Sequence, residues 1–230
     1  MDNKVEVVAL ALSTAKNYFT LHDVPYKTLA NYKNKLIDEK SEYFGEILAK
    51  RWHMESSGLT YEESVLYLGL SMRDLVREVG EAKAFRLLEE KGRQCFLPIC
   101  TMEQVINEEK PDLILTTNAP RMERAATIVG NNKGIPTINL HDDLGFKKRD
   151  YILSADKISV MSEITKGNLL DQGHDPSKII INGQPAFDII QDELTNFDSE
   201  KIRKENGIGD LPCLVLGTSM VGEKGKIMDI

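Results

Sequence analysis

Two hydrophobic rhythms divide this chain. From Asn31 to Gly92 apolar residues recur at helical spacing. Thr60-Tyr-Glu-Glu63 has capping-box spacing at the start of one such segment. After Ser71, the residues Met72, Leu75, Val76 and Val79 share one helix face until Gly80, and Ala84, Phe85, Leu87 and Leu88 carry the pattern on to Gly92. From Thr101 the rhythm changes. Thr101-Met-Glu-Gln104 is a second capping box, predicting a helix through Glu109. Short apolar runs then alternate with helical periods. Strands are predicted at Leu113 to Thr117, Thr137 to Leu140, Ile158 to Met161 and Ile179 to Asn182. Between them, Met122, Ala125, Ala126 and Val129 form one helix face, with Pro120 suited to that helix's first turn, and Glu163 to Gln172 forms another helix.

Alternation with short connections implies right-handed crossovers. The predicted fold class is therefore α/β, a Rossmann-like parallel sheet with helices on both faces, plus a helical insert over about residues 31–92. Ahead of the insert, Val5 to Leu12 is nearly continuous in apolar residues and reads as a strand buried on both faces. Ser13 or Thr14 caps a short helix through Phe19, and Val24-Pro25-Tyr26 is extended. After Asp188 the chain turns polar, with Asp198 as cap of a short helix that stops at Gly207. Pro212 to Gly217 is again an apolar strand, ending in Thr218 and Ser219. The domain reading is 1–188 for the Rossmann-like unit, 189–210 for a linker and 211–230 for the start of an incomplete second domain.

Composition narrows the function classes. A net charge of -7 argues against a broad nucleic-acid surface. No apolar run is long enough to span a bilayer. Cys95, Cys100 and Cys213 form no CxxC pair, and their odd number favours a reduced, intracellular setting. His22, His53 and His174 read as loop or surface residues, Trp52 as packing, and Lys147, Lys148 and Arg149 as a solvated basic run.

In an open parallel sheet, ligands gather at the carboxyl ends of the strands. Asn118 and Arg121 sit at such an end and at a helix N-terminus, where an amide, a guanidinium fork and a partial positive charge suit an anion. An ordinary helix entry with Asn118 as cap, Arg121 pairing on the surface, is the competing reading. His141-Asp142-Asp143 follows the next strand and offers an imidazole beside carboxylates for acid–base work. No second ligand pair has metal-site spacing, so neither a metal nor another cofactor is expected. Ser162 follows the third strand as a helix N-cap whose hydroxyl could also face a cleft. Gly183 permits positive φ before Pro185 stiffens the exit. Gly217-Thr218-Ser219 could cradle a phosphate with backbone N–H groups, although no Gly-Lys-Ser/Thr follows as in a P-loop.

Four runs carry a family resemblance: Pro111-Asp-Leu-Ile-Leu-Thr-Thr-Asn-Ala-Pro-Arg-Met-Glu-Arg-Ala125, Gly134-Ile-Pro-Thr-Ile138, Ser154-Ala-Asp-Lys-Ile-Ser-Val-Met-Ser-Glu163, and Lys178-Ile-Ile-Ile-Asn-Gly-Gln-Pro-Ala-Phe-Asp188. Together they resemble the first-domain half of GT-B enzymes, namely bacterial surface-polysaccharide glycosyltransferases and UDP-N-acetylglucosamine 2-epimerases. The resemblance covers about Asp112 to Gly217. It implies an acceptor side holding Asn118, Arg121, Glu123, His141 and Asp142, with Gly183 and Pro185 on the hinge side of a cleft.

The partners so implied are a nucleotide sugar and a carbohydrate or lipid-linked acceptor, in the cytoplasm or at the inner face of the membrane. The resemblance implies sugar transfer to an acceptor hydroxyl, with Asp142 or His141 as base. Two alternatives stay open. One is a UDP-sugar 2-epimerase or hydrolase using Glu123 and Asp142. The other is a non-catalytic fragment, or a subunit completed by a second polypeptide. The family's opening strand with its Gly-rich loop, and most of its nucleotide-binding domain, are not found in the sequence.

Overall fold

A computed structural model of the chain describes residues 5–13, 15–117, 120–143, 151–195 and 197–209. The chain divides into two compact units, Met1–Gln184 and Pro185–Ile230.

The first unit opens with helix α1, Ala15–Leu21, then a short helix α2, Lys33–Leu36. Helices α3 (Glu39–Trp52), α4 (Tyr61–Val79) and α5 (Glu81–Lys91) make up most of the predicted helical insert. Thr60 caps α4 as its spacing predicts: its hydroxyl accepts from Glu63 N–H, and the Glu63 carboxylate accepts from Thr60 N–H. Ser71 lies inside this helix and donates to the Tyr67 carbonyl, so the segments on either side of it are one helix. Helices α3 and α4 cross closely because both are glycine at the contact. A Cβ on Gly69 would lie 2.0 Å from the Ser41 carbonyl oxygen, and one on Gly45 would lie 2.2 Å from that of Val65.

Helix α6, Ile99–Glu109, starts two residues before the predicted cap at Thr101. The reason is tertiary. The Asp74 carboxylate reaches across from α4 and accepts from Thr101 N–H at 2.7 Å, doing from a neighbouring helix what an N-cap side chain would do locally. Arg73, 2% exposed, holds the other Asp74 oxygen through Nε and Nη2 at 3.1 and 2.9 Å, and donates to the Thr101 hydroxyl and the Leu36 carbonyl. One buried ion pair thus joins α2, α4 and α6.

The α/β rhythm follows as read from the sequence. Strands β1 (Ile114–Thr116), β2 (Thr137–His141) and β3 (Lys157–Val160) are separated by helix α7 (Met122–Asn132) and by the 142–156 connection, and α8 (Glu163–Asp171) leads to β4 (Ile179–Ile181). The sheet is Rossmann-like, four-stranded and parallel throughout, in the order β1-β2-β3-β4. Pro120 lies one residue ahead of the α7 N-cap, Arg121, instead of in the first turn.

The two faces of the sheet are covered unequally. The register puts Ile114, Thr116, Thr137, Asn139, Ile158, Val160 and Ile179 on one buried face. That face packs into the core shared by α4, α6 and α7, and into a smaller cluster with Leu169 of α8. On the other face Leu115 is 56% exposed and Ile180 41%. Helices α7 and α8 both pack on the buried face, which accounts for the asymmetry.

Two local expectations are corrected. Val5 to Leu12 forms no strand. Val5 and Val7 are 80% and 76% exposed, and pairing is limited to a parallel bridge at Leu10, with Ala9 and Ala11 bonding the Lys27 backbone. An apolar run becomes a buried strand only where other strands complete its ladder, and none does so among the described residues. His174 is buried, not at the surface: its Nε2 accepts from Leu153 N–H at 3.1 Å and its Nδ1 lies 3.0 Å from the Leu169 carbonyl, pinning the end of α8 to the segment before β3.

In the second unit, α9 (Asp188–Thr195) and α10 (Ser199–Glu205) follow a turn at Pro185–Phe187. Asp198 caps α10 as predicted, accepting from Lys201 N–H at 3.0 Å. The predicted strand at 212–217 lies outside the described residues. Among the described residues, no helix is long and apolar enough to cross a membrane.

Two predictions follow from this packing. Asp74→Ala should destabilise the first unit by about 3–5 kcal/mol in urea unfolding, because it strands the buried Arg73 guanidinium and uncaps α6; a loss below about 1 kcal/mol would show the pair to be dispensable. Acid should also weaken the fold. Burial alone would lift the Asp38 and Glu63 carboxyls, but Ser41, Arg73 and Arg77 around Asp38, and Lys16 and Thr60 around Glu63, outweigh it and hold both below the usual range. The Lys27 ammonium, aided by the Tyr32 hydroxyl, does the same for Glu109. Groups with depressed folded pKa contribute stability above the unfolded value and lose it as pH falls through the folded one. The melting temperature should therefore hold from pH 7 to about 5 and drop below about pH 4; a rise on acidification would contradict this.

Candidate functional site

Because all four strands are parallel, their carboxyl ends lie along one rim of the sheet. At the end of β1, the Thr117 hydroxyl donates to the Glu123 carboxylate at 2.9–3.0 Å, tying the loop to the first turn of α7. Arg121 is the N-cap of α7 with φ 72 and ψ -112. A side chain other than glycine in that region costs roughly 1–3 kcal/mol and persists only when surrounding contacts enforce it. The Arg121 guanidinium does not cap the helix. Its charge acts on the phenol of Tyr67, which comes from α4.

Arg121 and Tyr67 line one cavity of about 130 Å³ between the helical segment and the start of α7. Trp52 at the end of α3, Ser57 and Ser64, Tyr67, Arg93 and Arg121 line it. Burial pushes the Tyr67 phenol up, while the charges of Arg121 and Arg93 pull the other way. The net shift is upward, so Tyr67 keeps its proton at neutral pH. Ser64 is itself held by His53, with Oγ and Nδ1 2.8 Å apart.

At the next strand end, His141 is fully buried on its side chain, and its Nε2 lies 2.8 Å from Asp143 Oδ1. Asp142, between them in sequence, is exposed. Beneath this rim Asn139 donates to the Thr116 hydroxyl and the Thr117 carbonyl, while its Oδ1 is buried with no donor among the described residues. A pocket of about 10 Å³, room for one water, adjoins it between Thr116, Thr127, Glu123 and Tyr151. The Arg124 guanidinium lies 3.9 Å above the Tyr151 ring on the same wall.

Ser162 caps α8, its Oγ accepting from Thr165 N–H at 3.2 Å. Gly183 has φ 77, as the turn after β4 requires, and Pro185 begins the second unit. Asn118, Gly217, Thr218 and Ser219, and the basic run 147–149, lie outside the described residues. Arg121 and Glu123 are brought together at one helix start, while His141 and Asp142 stand at the neighbouring strand end. Sequence reasoning missed Arg93, Tyr67 and Ser64. Tyr67 stands between Leu66 and Leu68 and looks like core, and Arg93 follows Gly92 like any basic residue at a helix end. Neither carries a local signal of the cavity.

No protein-family model matches the chain, and no curated protein matches it. Among solved structures, a UDP-GlcNAc 2-epimerase from Neisseria meningitidis bound to UDP-GlcNAc is similar at 20% sequence identity and a TM-score of 0.35, over 46% of this chain and 32% of that one. The chain thus spans about a third of that structure's length.

Ser162→Ala should cost about 1 kcal/mol through loss of the α8 cap. The measurement is a urea midpoint with unchanged slope. A variant as stable as the parent would mean that the Thr165 N–H is satisfied without the Ser162 hydroxyl.

Proposed function

We propose that this chain carries the acceptor side of a GT-B-type glycosyltransferase of cell-surface polysaccharide synthesis. One observation carries the reading: a parallel sheet whose carboxyl-terminal rim bears Arg121, Glu123, His141, Asp142 and Ser162, with a concave polar cavity beside the first helix of that rim. The four sequence runs that resemble the GT-B first domain supply the strands and turns of this rim, which supports the same reading.

In the reaction, an acceptor hydroxyl oxygen bonds to the anomeric carbon as the carbon–oxygen bond to the nucleoside diphosphate breaks. The hydroxyl proton passes to a base, and the diphosphate leaves with the bonding electrons. Asp142 suits the base because it is exposed at the strand end. His141 suits a positioning role, its buried ring held against Asp143. Glu123, fastened by Thr117, is the second carboxylate of the rim.

The test is a titration of the chain with UDP, UDP-GlcNAc and methyl glycosides, followed by backbone amide shifts. Shifts at Arg121, Asp142 and Ser162 support the reading, and unmoved rim amides with every ligand overturn it. Incubation with UDP-GlcNAc and no acceptor tests the chemistry. Turnover without an acceptor would replace transfer by epimerisation or hydrolysis. Where transfer is measured, Asp142→Asn should lower kcat by about 10²–10⁴ with little change in KM.

A further inference from the structure

The cavity between the helical segment and α7 has a chemistry of its own. Two guanidiniums line it, and both are charged at any physiological pH. Among the described residues, neither Arg93 nor Arg121 lies within ion-pair distance of a carboxylate. Glu123 lines the same cavity with its carboxylate tied to the Thr117 hydroxyl, so the lining carries two guanidiniums and one carboxylate and stays positive by one charge. Arg121 lines the cavity beside Tyr67, whose hydroxyl keeps its proton at neutral pH and can donate it to an anion. Surface arginines ordinarily extend into water. These two are half-buried around one void.

Size limits the occupant. The void, about 130 Å³, is close to the roughly 150 Å³ cavity that takes one benzene ring, and below the roughly 300–1,000 Å³ of sites for larger ligands. A whole nucleotide sugar does not fit inside; a small molecule of one ring and one acidic group is the largest occupant that suits it. Trp52, whose ring also carries the Arg51 guanidinium 5.1 Å from its centroid, gives the cavity an aromatic wall, the usual platform for a ring.

We propose that this cavity binds a small oxyanion-bearing molecule, a phosphate or carboxylate held between Arg93 and Arg121, with Tyr67 donating to it and Trp52 packing on its ring. The inference does not depend on sugar transfer, since it rests on groups of α3, α4, the turn after α5 and the start of α7. A ligand there touches the helical segment and the βα region together. It therefore also fastens the one to the other, and its binding should raise the melting temperature.

The experiment is calorimetric titration of the full chain at low salt with inorganic phosphate, glucose 6-phosphate and glucuronate, with glucose as the neutral control. Glucose 6-phosphate or glucuronate should bind and glucose should not; which acid binds more tightly identifies a phosphate or a carboxylate as the natural group. Arg93→Gln and Arg121→Gln should each weaken that binding about tenfold or more, as expected for a charge-assisted hydrogen bond. Raising salt should weaken it too. Arg93 stands on a turn and makes no side-chain bond among the described residues, so Arg93→Gln keeps the test valid if Arg121→Gln fails to fold, as thermal melts will show. Absence of binding by all three anions, equal binding of glucose, or undiminished binding by a folded Arg93→Gln would overturn the proposal.

Discussion

The placement of Tyr67 against α7 depends on a charge pair buried further along the same helix. Arg73 and Asp74 are adjacent on α4, and both side chains are 2% exposed. Removing two ions from water costs several kcal/mol each unless every donor and acceptor is used. Here they are used: Asp74 takes the Thr101 N–H at the start of α6 as well as Arg73, and Arg73 takes the last carbonyl of α2 and the Thr101 hydroxyl. The helical segment is thereby registered on α6, and α6 packs on α7 in the same core. That chain of contacts sets where Tyr67 on α4 meets Arg121 at the head of α7. A hydrophobic pair of equal volume could pack as well, but it could not cap α6 or define one rotation of α4 about its axis.

The sheet imposes the second constraint. Strands taken in sequence order, all parallel, send their polar ends to one rim and their helices to one side. The rim is therefore backed by a firm layer of α6, α7 and α8, while the far face shows Leu115 and Ile180 to solvent. A site on this rim inherits rigidity from the covered face. The strained φ of Arg121 is intelligible in that setting. Met122, Ala125 and Val129 are locked into the core, so the helix cannot shift to relax its N-cap, and the guanidinium is held toward α4.

The fold was legible where the signal is local and periodic. The strands at β1 to β4, the caps at Thr60, Ser162 and Asp198 and the turn glycine at 183 each rest on a few neighbouring residues, and the structure agrees with them. It was not legible where a distant group intervenes. Thr101 has the spacing of a cap but lies inside its helix, because Asp74 supplies the cap from another element. Val5 to Leu12 has the composition of a buried strand and lacks the neighbours to make it one. His174 is polar and follows a glycine, which suggests a loop, yet two backbone groups bring it into the core. The candidate site divides in the same way. Arg121 and Glu123 could be found because a strand end and a helix start adjoin in sequence. Tyr67 and Arg93 could not, since only the packing of α4 and the turn after α5 against α7 turns them toward the same void.

Burial then separates the polar groups of the rim by what they can do. His141 is enclosed and paired with Asp143, so a ligand at the rim cannot reach its ring without displacing that partner. Asn139 is enclosed as well, and its bonds to Thr116 and Thr117 hold the end of β1 beside β2. These groups fix the backbone on which the accessible ones stand. Asp142 and Arg121 are the accessible ones, an exposed carboxylate at one strand end and a half-buried guanidinium at the next. Acid–base work requires the first kind of position, where a proton can be exchanged, and anion capture requires the second, where partial exclusion of water strengthens the attraction. Under the proposed function, the roles of Asp142 and Arg121 thus follow from solvent access, with the buried residues serving as the frame for the exposed ones.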